Sequence, residues 1–196
     1  MKDKLAARIA RHQHPVCHDR RRWLQLALGS SVSLAFMPKA YANLAKLPER
    51  KLSLHNLHTG ESLKTTYWAE GHYQLDELKA IHHILRDHRT NEVAEIDSDL
   101  LDLMNILHHR MQGKQPYHII SGYRSPTTNE NLRKTSSGVA RLSYHTLGKA
   151  VDFRLPGREL SALHKAALAL EAGGVGYYPR SDFIHLDTGP LRQWQG

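Results

Sequence analysis

The residues Ser143-Tyr144-His145-Thr146-Leu147-Gly148-Lys149-Ala150-Val151-Asp152 carry the strongest structural signal in this chain. The first half of this segment is loop-like and the second half is β-rich. A loop that precedes a strand can fold back over it, and the small residues Gly148 and Ala150 would permit that close approach. The segment therefore predicts that His145, on the loop, and Asp152, inside the strand, come together.

The sequence around this segment predicts an alternation of strands and helices. Period-two alternation of apolar residues predicts strands, and apolar residues at helical spacing predict helices. Strands are expected at 51–57, 62–68, 117–121, 149–155, 175–178 and 183–187, and helices at 74–88, 97–113, 125–135 and 160–172. We expect an α+β domain with a small, mostly antiparallel sheet and flanking helices.

Composition and charge exclude several classes of protein. The 196 residues include no run of 18 apolar residues, which excludes a multi-span membrane protein. The single cysteine, Cys17, excludes a disulfide framework and a cysteine-based zinc site within one chain. The net charge is +8, but residues 1–42 hold eight Lys/Arg and two Asp, and therefore most of it. Nucleic-acid binding needs clustered Lys/Arg on the folded domain, so no nucleic-acid partner is expected.

Residues 1–42 have the organisation of an export signal. Arg20–Arg22 precede an apolar stretch, residues 26–37, which is followed by Ala40-Tyr41-Ala42. A basic region, a short apolar region and a small-residue cleavage site predict a secretory signal peptide. The paired arginines followed by an aromatic residue and a leucine resemble a twin-arginine signal. We expect cleavage after Ala42 and a periplasmic domain, residues 43–196, without stable membrane insertion; an uncleaved anchoring helix is the alternative.

Three residues are candidate metal ligands. His185 lies on the last predicted strand, where it can join His145 and Asp152. Two imidazoles and one carboxylate can hold zinc and leave a fourth position for water. From spacing alone the pattern also fits a buried histidine bonded to a carboxylate without any metal. The adjacent pairs His82-His83 and His108-His109 point about 100° apart on a helix and cannot chelate one ion together.

The pattern S-x-H-x-x-G-x-A-x-D followed by H-x-D resembles the signature of the zinc D-Ala-D-Ala peptidases and their murein endopeptidase relatives. Lysostaphin-type enzymes and the hedgehog signalling domain belong to the same group. The upstream segment Ser121-Gly122-Tyr123-Arg124-Ser125 is similar to the S-G-Y-R segment of that group. The resemblance to a subgroup of exported murein endopeptidases covers roughly residues 50–194, through the segments NLHTGE (56–61), GGVGYYP (173–179) and HLDTGP (185–190).

The resemblance implies an exported zinc metallopeptidase that hydrolyses peptide cross-links of peptidoglycan during cell-wall remodelling. It implies Zn²⁺ as cofactor, held by His145, Asp152 and His185. It also leaves open which cross-link is cleaved, D-Ala–diaminopimelate or diaminopimelate–diaminopimelate. Two other functions stay open. One is a DD- or LD-carboxypeptidase that trims stem peptides, and the other is a non-catalytic, metal-stabilised module that binds the cell wall.

The remaining implied site residues are one arginine and two candidate bases. The resemblance implies that Arg124 binds substrate and the oxyanion, a role that its guanidinium fork suits. Asp187 shares a strand face with His185 and is the preferred acid, either as general base or as the residue that orients His185. Asp182 is the alternative base, because many relatives in the wider group carry their catalytic acid three residues before this histidine.

Overall fold

The computed structural model describes residues 47–136 and 139–196. The predicted signal peptide, residues 1–42, lies outside the described residues. The secondary-structure elements are β1 (Glu49–Asn56), β2 (Ser62–Ala69), β3 (His72–Tyr73), α1 (Leu75–Ile84), α2 (Ser98–Arg110), β4 (Tyr117–Ser121), α3 (Pro126–Thr135), a 3₁₀ helix (Tyr144–Leu147), β5 (Ala150–Arg154), α4 (Leu160–Leu168), β6 (Gly174–Tyr178), β7 (Phe183–Asp187) and β8 (Arg192–Gln195). Within the described residues, no helix combines the length and the apolar character needed to cross a bilayer.

The strands form one sheet in the order β3-β2-β1-β4-β5-β7-β6-β8. All neighbouring strands are antiparallel except the pairs β1–β4 and β6–β8, which are parallel. This arrangement confirms the predicted α+β fold with a mostly antiparallel sheet. The sheet is wider than expected because two short strands, β3 and β8, extend its two edges.

Helix α2 forms the centre of the core. It begins at an N-cap, Asp97, whose side chain accepts a hydrogen bond from the backbone N–H of Asp99 at 3.0 Å. Every residue from Leu100 to Leu107 is buried, including the polar Asp102 and Asn105, so this helix is enclosed on all faces rather than along one apolar stripe. Tyr117 of β4 and Phe153 of β5 extend this core, with ring centroids 4.7 Å apart. The central strands β4, β5 and β7 are therefore held rigidly, and they carry or border the candidate site.

Candidate metal centre

The central strands β5 and β7 carry two of the three candidate ligands. Asp152 of β5 lies directly opposite His185 of β7 in the antiparallel register, so both side chains emerge on one face of the sheet. His145 reaches that face from the 3₁₀ helix before β5. The structure thus brings the three residues together. All three are buried, with exposed fractions of 3%, 7% and 8% for His145, Asp152 and His185.

The ligand atoms of these side chains form a close triangle. Nδ1 of His185 lies 2.8 Å from Oδ1 of Asp152. Nε2 of His145 lies 3.2 Å from Oδ2 of Asp152 and 3.2 Å from Nδ1 of His185. A tetrahedral ion with ligands at about 2.1 Å holds those ligands about 3.4 Å apart. The three side chains could therefore hold one ion, and they are the only such cluster within the described residues.

The ring of His145 is held by the backbone of the upstream segment. Its Nδ1 lies 2.7 Å from the carbonyl oxygen of Gly122. A ring that donates from Nδ1 presents its Nε2 lone pair to the triangle, which is the tautomer that a metal requires. Gly122 in turn packs against the carbonyl of Leu85, where a Cβ would collide with that oxygen. The glycine of the S-G-Y-R segment therefore permits the close approach that fixes His145.

The ring of His185 is held at both nitrogens. Its Nδ1 faces Asp152, and its Nε2 lies 2.9 Å from Oδ2 of Asp187. Asp187 therefore lies on the opposite side of the imidazole from the triangle. Burial alone would lower the pKa of His185, but the hydrogen bonds to Asp152 and Asp187 outweigh burial and raise it to about 9.

Asp187 is completely buried, and both of its oxygens have several partners. Its Oδ1 accepts hydrogen bonds from the backbone N–H of Gly174 at 3.1 Å and of Gly189 at 2.8 Å. Arg192 donates to Oδ1 at 3.0 Å and also to Oδ2. Burial alone would raise the pKa of Asp187, but these hydrogen bonds and that of His185 hold it at about 2. The carboxylate of Asp187 is thus ionised and buried, and both of its oxygens already accept hydrogen bonds.

The turn between the 3₁₀ helix and β5 depends on one glycine. Gly148 has a φ of 67°, in the left-handed region, and its N–H donates to the carbonyl of His145 at 3.3 Å. A Cβ at this position would collide with the carbonyl oxygen of Glu95. The carbonyl of Gly148 also accepts from the N–H of Asp97 at 3.0 Å. The close approach predicted at Gly148 is therefore to the chain just before α2, which fixes the loop that carries His145.

Arg124 lies beside the triangle. Its Nη2 is 3.7 Å from Oδ2 of Asp152 and 3.3 Å from Oγ of Ser121, and its backbone N–H donates to the carbonyl of His145 at 3.1 Å. The side chain is 12% exposed, and its Nε is buried without a hydrogen-bond partner. Burial lowers the pKa of the guanidinium. A buried guanidinium with an unused N–H can bind an anionic group in the cleft.

The structure does not bring Asp182 to the triangle. This residue lies in the turn before β7, with a φ of 53°, and its Oδ2 accepts from Nη1 of Arg154 at 3.0 Å. Its side chain is 62% exposed. Asp182 does not line the cleft above the triangle. Among the described residues that line this cleft, Asp152 is the only acidic one.

The triangle lies in a cleft of about 510 Å³, a size suited to a peptide-like ligand. The residues that line the cleft are the two histidines, Asp152, Arg124, Tyr144, Tyr178, Phe183, Arg192, Trp194, Ser136, Val139, Ala140, Leu142 and Ser143. The sequence did not indicate Arg192 and Trp194 as cleft residues. Both belong to β8, a strand of four residues that the hydrophobic pattern does not reveal.

The protein has an α+β fold in which Asp152 and His185, on central strands, and His145, on the preceding 3₁₀ helix, meet in an open cleft. These features define a protein with a candidate single-metal centre. The chain belongs to the family described as Peptidoglycan L,D-endopeptidase MepK, whose sequence profile matches residues 45–194.

Curated relatives cover nearly the same span. The Peptidoglycan L,D-endopeptidase MepK of Escherichia coli (strain K12) is 46% identical over 177 residues, which are 90% of this chain and 97% of the relative. The protein of the same name from Shigella flexneri matches with the same identity and coverage. The Probable peptidoglycan L,D-endopeptidase MepK of Haemophilus influenzae is 38% identical over 183 residues, which are 92% of this chain and 98% of the relative.

Proposed function

We propose that this protein is an exported zinc metallopeptidase that hydrolyses peptide cross-links between the stem peptides of peptidoglycan. The observation that carries the proposal is the buried triangle of His145, Asp152 and His185 within an open cleft. The names of the relatives support the substrate, since each contains the words peptidoglycan L,D-endopeptidase.

Zinc fits the donor atoms of the proposed site. Two imidazole nitrogens and a carboxylate oxygen are a common catalytic zinc set, which leaves one position open. Both rings are already oriented by backbone or carboxylate partners, so little reorganisation is needed to bind an ion. Zinc supplies a Lewis acid, which lowers the pKa of a bound water and polarises a carbonyl group.

Arg124 is the proposed partner of the substrate. Its buried Nε has no hydrogen-bond partner, and its Nη2 is held near the triangle by Ser121 and Asp152. A guanidinium that is fixed before the substrate arrives stabilises negative charge on the reacting carbonyl oxygen without reorganisation. The same fork also fits a carboxylate of a stem peptide.

The contacts of Asp187 favour an orienting role over a general base. A base must reach the proton that it abstracts, but Asp187 is fully buried behind His185, and both of its oxygens accept hydrogen bonds from protein groups. Holding the second nitrogen of a ligand histidine is what such a carboxylate does in many zinc sites. Asp182 remains the other candidate base, although Arg154 neutralises it in an exposed turn.

The proposed scissile bond is the diaminopimelate–diaminopimelate link. That link joins an L-centre to a D-centre, whereas the D-Ala–diaminopimelate link joins two D-centres. The relatives are named L,D-endopeptidases, which favours the first of the two bonds.

Export through a twin-arginine signal is the remaining part of the proposal. Residues 1–42 contain the basic, apolar and small-residue regions of a signal peptide, including the arginine pair Arg20-Arg21. A periplasmic domain of residues 43–196 is consistent with a peptidoglycan substrate, because the cell wall lies outside the cytoplasm.

Digestion of defined muropeptides, read by mass spectrometry, tests the proposed function. The purified domain should convert diaminopimelate-linked dimers into monomers and should lose this activity on chelation. Loss of one terminal residue from a monomer would instead identify a carboxypeptidase. Binding without any change of mass would identify a non-catalytic module. The three candidate ligands disfavour that alternative, because a purely structural zinc more often has four protein ligands.

A further inference from the structure

The C-terminal strand β8 places two side chains against the proposed metal site. It runs parallel to β6 at the edge of the sheet, with Arg192 beside Gly174 and Trp194 beside Gly176. Both side chains line the cleft. Neither residue is one of the three candidate ligands of the triangle.

Arg192 contacts both oxygens of the Asp187 carboxylate. Its two terminal nitrogens donate to the two oxygens of Asp187, and Nη1 also donates to the carbonyl of Pro190 at 3.1 Å. A two-pronged contact fixes the plane of a carboxylate, whereas a single contact leaves it free to turn. The plane of the Asp187 carboxylate determines where its Oδ2 meets Nε2 of His185.

The guanidinium of Arg192 also contacts two aromatic rings. Its central carbon lies 4.9 Å from the ring centroid of Tyr144 and 5.1 Å from that of Trp194. The indole N–H of Trp194 donates to the hydroxyl of Tyr178 at 2.8 Å, which fixes the indole in turn. Arg192 therefore has little freedom to leave Asp187.

Three glycines leave room for these side chains. A Cβ at Gly174 would lie 2.5 Å from Nη1 of Arg192 and 2.6 Å from Oδ2 of Asp187. A Cβ at Gly176 would lie 2.7 Å from the ring of Trp194, and one at Gly189 would collide with the ring of Tyr144. The lack of a Cβ at these three positions therefore leaves space for Arg192 and for the two aromatic rings that it contacts.

We propose that Arg192 is a positioning residue of the metal centre, which fixes His185 through Asp187. This inference rests on the proposed zinc site. The order of contacts is Arg192 to Asp187 to His185, and only the last of these residues is a proposed zinc ligand. Strand β8 thus completes the site although it contributes no ligand.

The test compares Arg192→Gln and Arg192→Lys with Gln193→Ala, an exposed control on the same strand. Three quantities are measured for each variant and for the parent: the dissociation constant for zinc by competition with a chelator, the melting temperature of the zinc-free protein, and kcat and KM on a muropeptide dimer. Zinc binding and turnover by the parent test the proposed function, and the ratio of variant to parent tests this inference.

We expect Arg192→Gln to weaken zinc binding about tenfold, at the lower end of the range for partners of a ligand histidine. Arg192→Lys should fall between the parent and Arg192→Gln, because lysine keeps the charge but contacts only one oxygen. With zinc in excess, KM should stay near the parental value. Gly174→Ala, which crowds the same contact, should weaken zinc binding in the same direction, and Gln193→Ala should leave it unchanged.

Three outcomes would overturn the inference. Zinc affinity equal to the parent in Arg192→Gln would show that Asp187 does not need Arg192. Unchanged zinc affinity with a raised KM would show that Arg192 instead contacts a carboxylate of the substrate. A drop in melting temperature of the zinc-free protein, with the zinc affinity of the folded protein intact, would likewise reduce Arg192 to a structural ion pair.

Discussion

Oδ2 of Asp187 lies 2.9 Å from Nε2 of His185, whereas Nδ1 of the same ring faces Asp152 at 2.8 Å. The imidazole is therefore held between two carboxylates, one inside the ligand triangle and one behind it. Asp187 is fully buried and accepts four further hydrogen bonds from Gly174, Gly189 and Arg192. We therefore expect substitution of Asp187 to change zinc binding through His185.

Asp187→Asn should weaken zinc binding by about 10–100-fold, because an amide holds the second nitrogen of His185 less firmly than a carboxylate does. With zinc in excess, part of the activity should return. Zinc affinity is measured by chelator competition and turnover by muropeptide digestion. If Asp187 were the general base, zinc affinity would be unchanged and kcat would fall by about 10²–10⁴-fold.

Asp182→Asn should retain both zinc binding and most of the turnover. Its carboxylate is exposed, paired with Arg154 and outside the cleft. The same two assays as for Asp187→Asn report on it, and Arg154→Gln is the matched control for loss of the ion pair alone. A fall in kcat of about 10²-fold or more in Asp182→Asn alone, at full zinc occupancy, would identify Asp182 as the base.

Arg124→Lys should bind zinc like the parent but lose most of its activity. Lysine keeps the positive charge but cannot form the fork that fits an oxyanion or a carboxylate. Removing one donor of this kind costs about 10²–10³-fold in kcat in a well-studied protease. Metal analysis and steady-state kinetics are measured together, with Arg158→Lys, outside the cleft, as a control. Full turnover in Arg124→Lys would remove Arg124 from the mechanism.

Asp87→Asn should flatten the acid branch of the stability profile. Asp87 is 1% exposed and accepts hydrogen bonds from the backbone N–H of Arg89 at 2.9 Å and of Ser125 at 2.8 Å. Burial alone would raise the pKa of Asp87, but these bonds and that of Thr128 hold the pKa at about 2, below the ordinary value of 3.8. A lowered pKa stabilises the fold above about pH 4, and this stability is lost as the pH falls toward 2.

The size of this effect is about 2 kcal/mol in the free energy of unfolding, at 1.36 kcal/mol per pKa unit. It is measured by denaturant unfolding of parent and variant between pH 7 and pH 2. Asp76→Asn, at an exposed position, is the control. An unchanged pH profile in Asp87→Asn would show that Asp87 does not tie the loop after α1 to the segment that carries Arg124.

Replacement of both Arg20 and Arg21 by lysine should retain the precursor inside the cell. The twin-arginine interpretation requires the guanidinium pair, whereas a general secretory signal needs only positive charge. Fractionation and immunoblotting of the two cell compartments measure the outcome. Normal amounts of the processed protein outside the cytoplasm would remove the twin-arginine assignment, although secretion by another route would remain.

The sequence predicted the fold well where hydrophobic period and chemistry agree. Asp152 and His185 lie on strands whose alternation is regular, so their presence on one sheet face was predictable. Helix α1 ends at Ile84 rather than at His88, and Asp87, beyond its end, accepts a hydrogen bond from the backbone N–H of the distant Ser125. A tertiary contact of this kind overrides the helical pattern and cannot be read from a local window.

The contribution of β8 is the part of the candidate site that the sequence did not predict. Arg192 and Trp194 lie on four residues at the sheet edge, paired in parallel with β6, and short edge strands leave no periodic signal. The role of Asp187 also stayed open in the sequence, because period two places it on the face of His185 without saying which ring nitrogen it contacts. The structure supplies that information, because Oδ2 of Asp187 lies 2.9 Å from Nε2 of His185.

A zinc titration of the metal-free domain tests the central claim most directly. Zinc binding and cleavage of a diaminopimelate-linked muropeptide dimer are followed together as zinc is added. We predict that activity rises with zinc and reaches its plateau at one equivalent in the parent. We also predict that His145→Ala, Asp152→Ala and His185→Ala neither bind zinc tightly nor cleave the dimer. Full activity without zinc, or a parental titration curve in any of the three variants, would contradict the account.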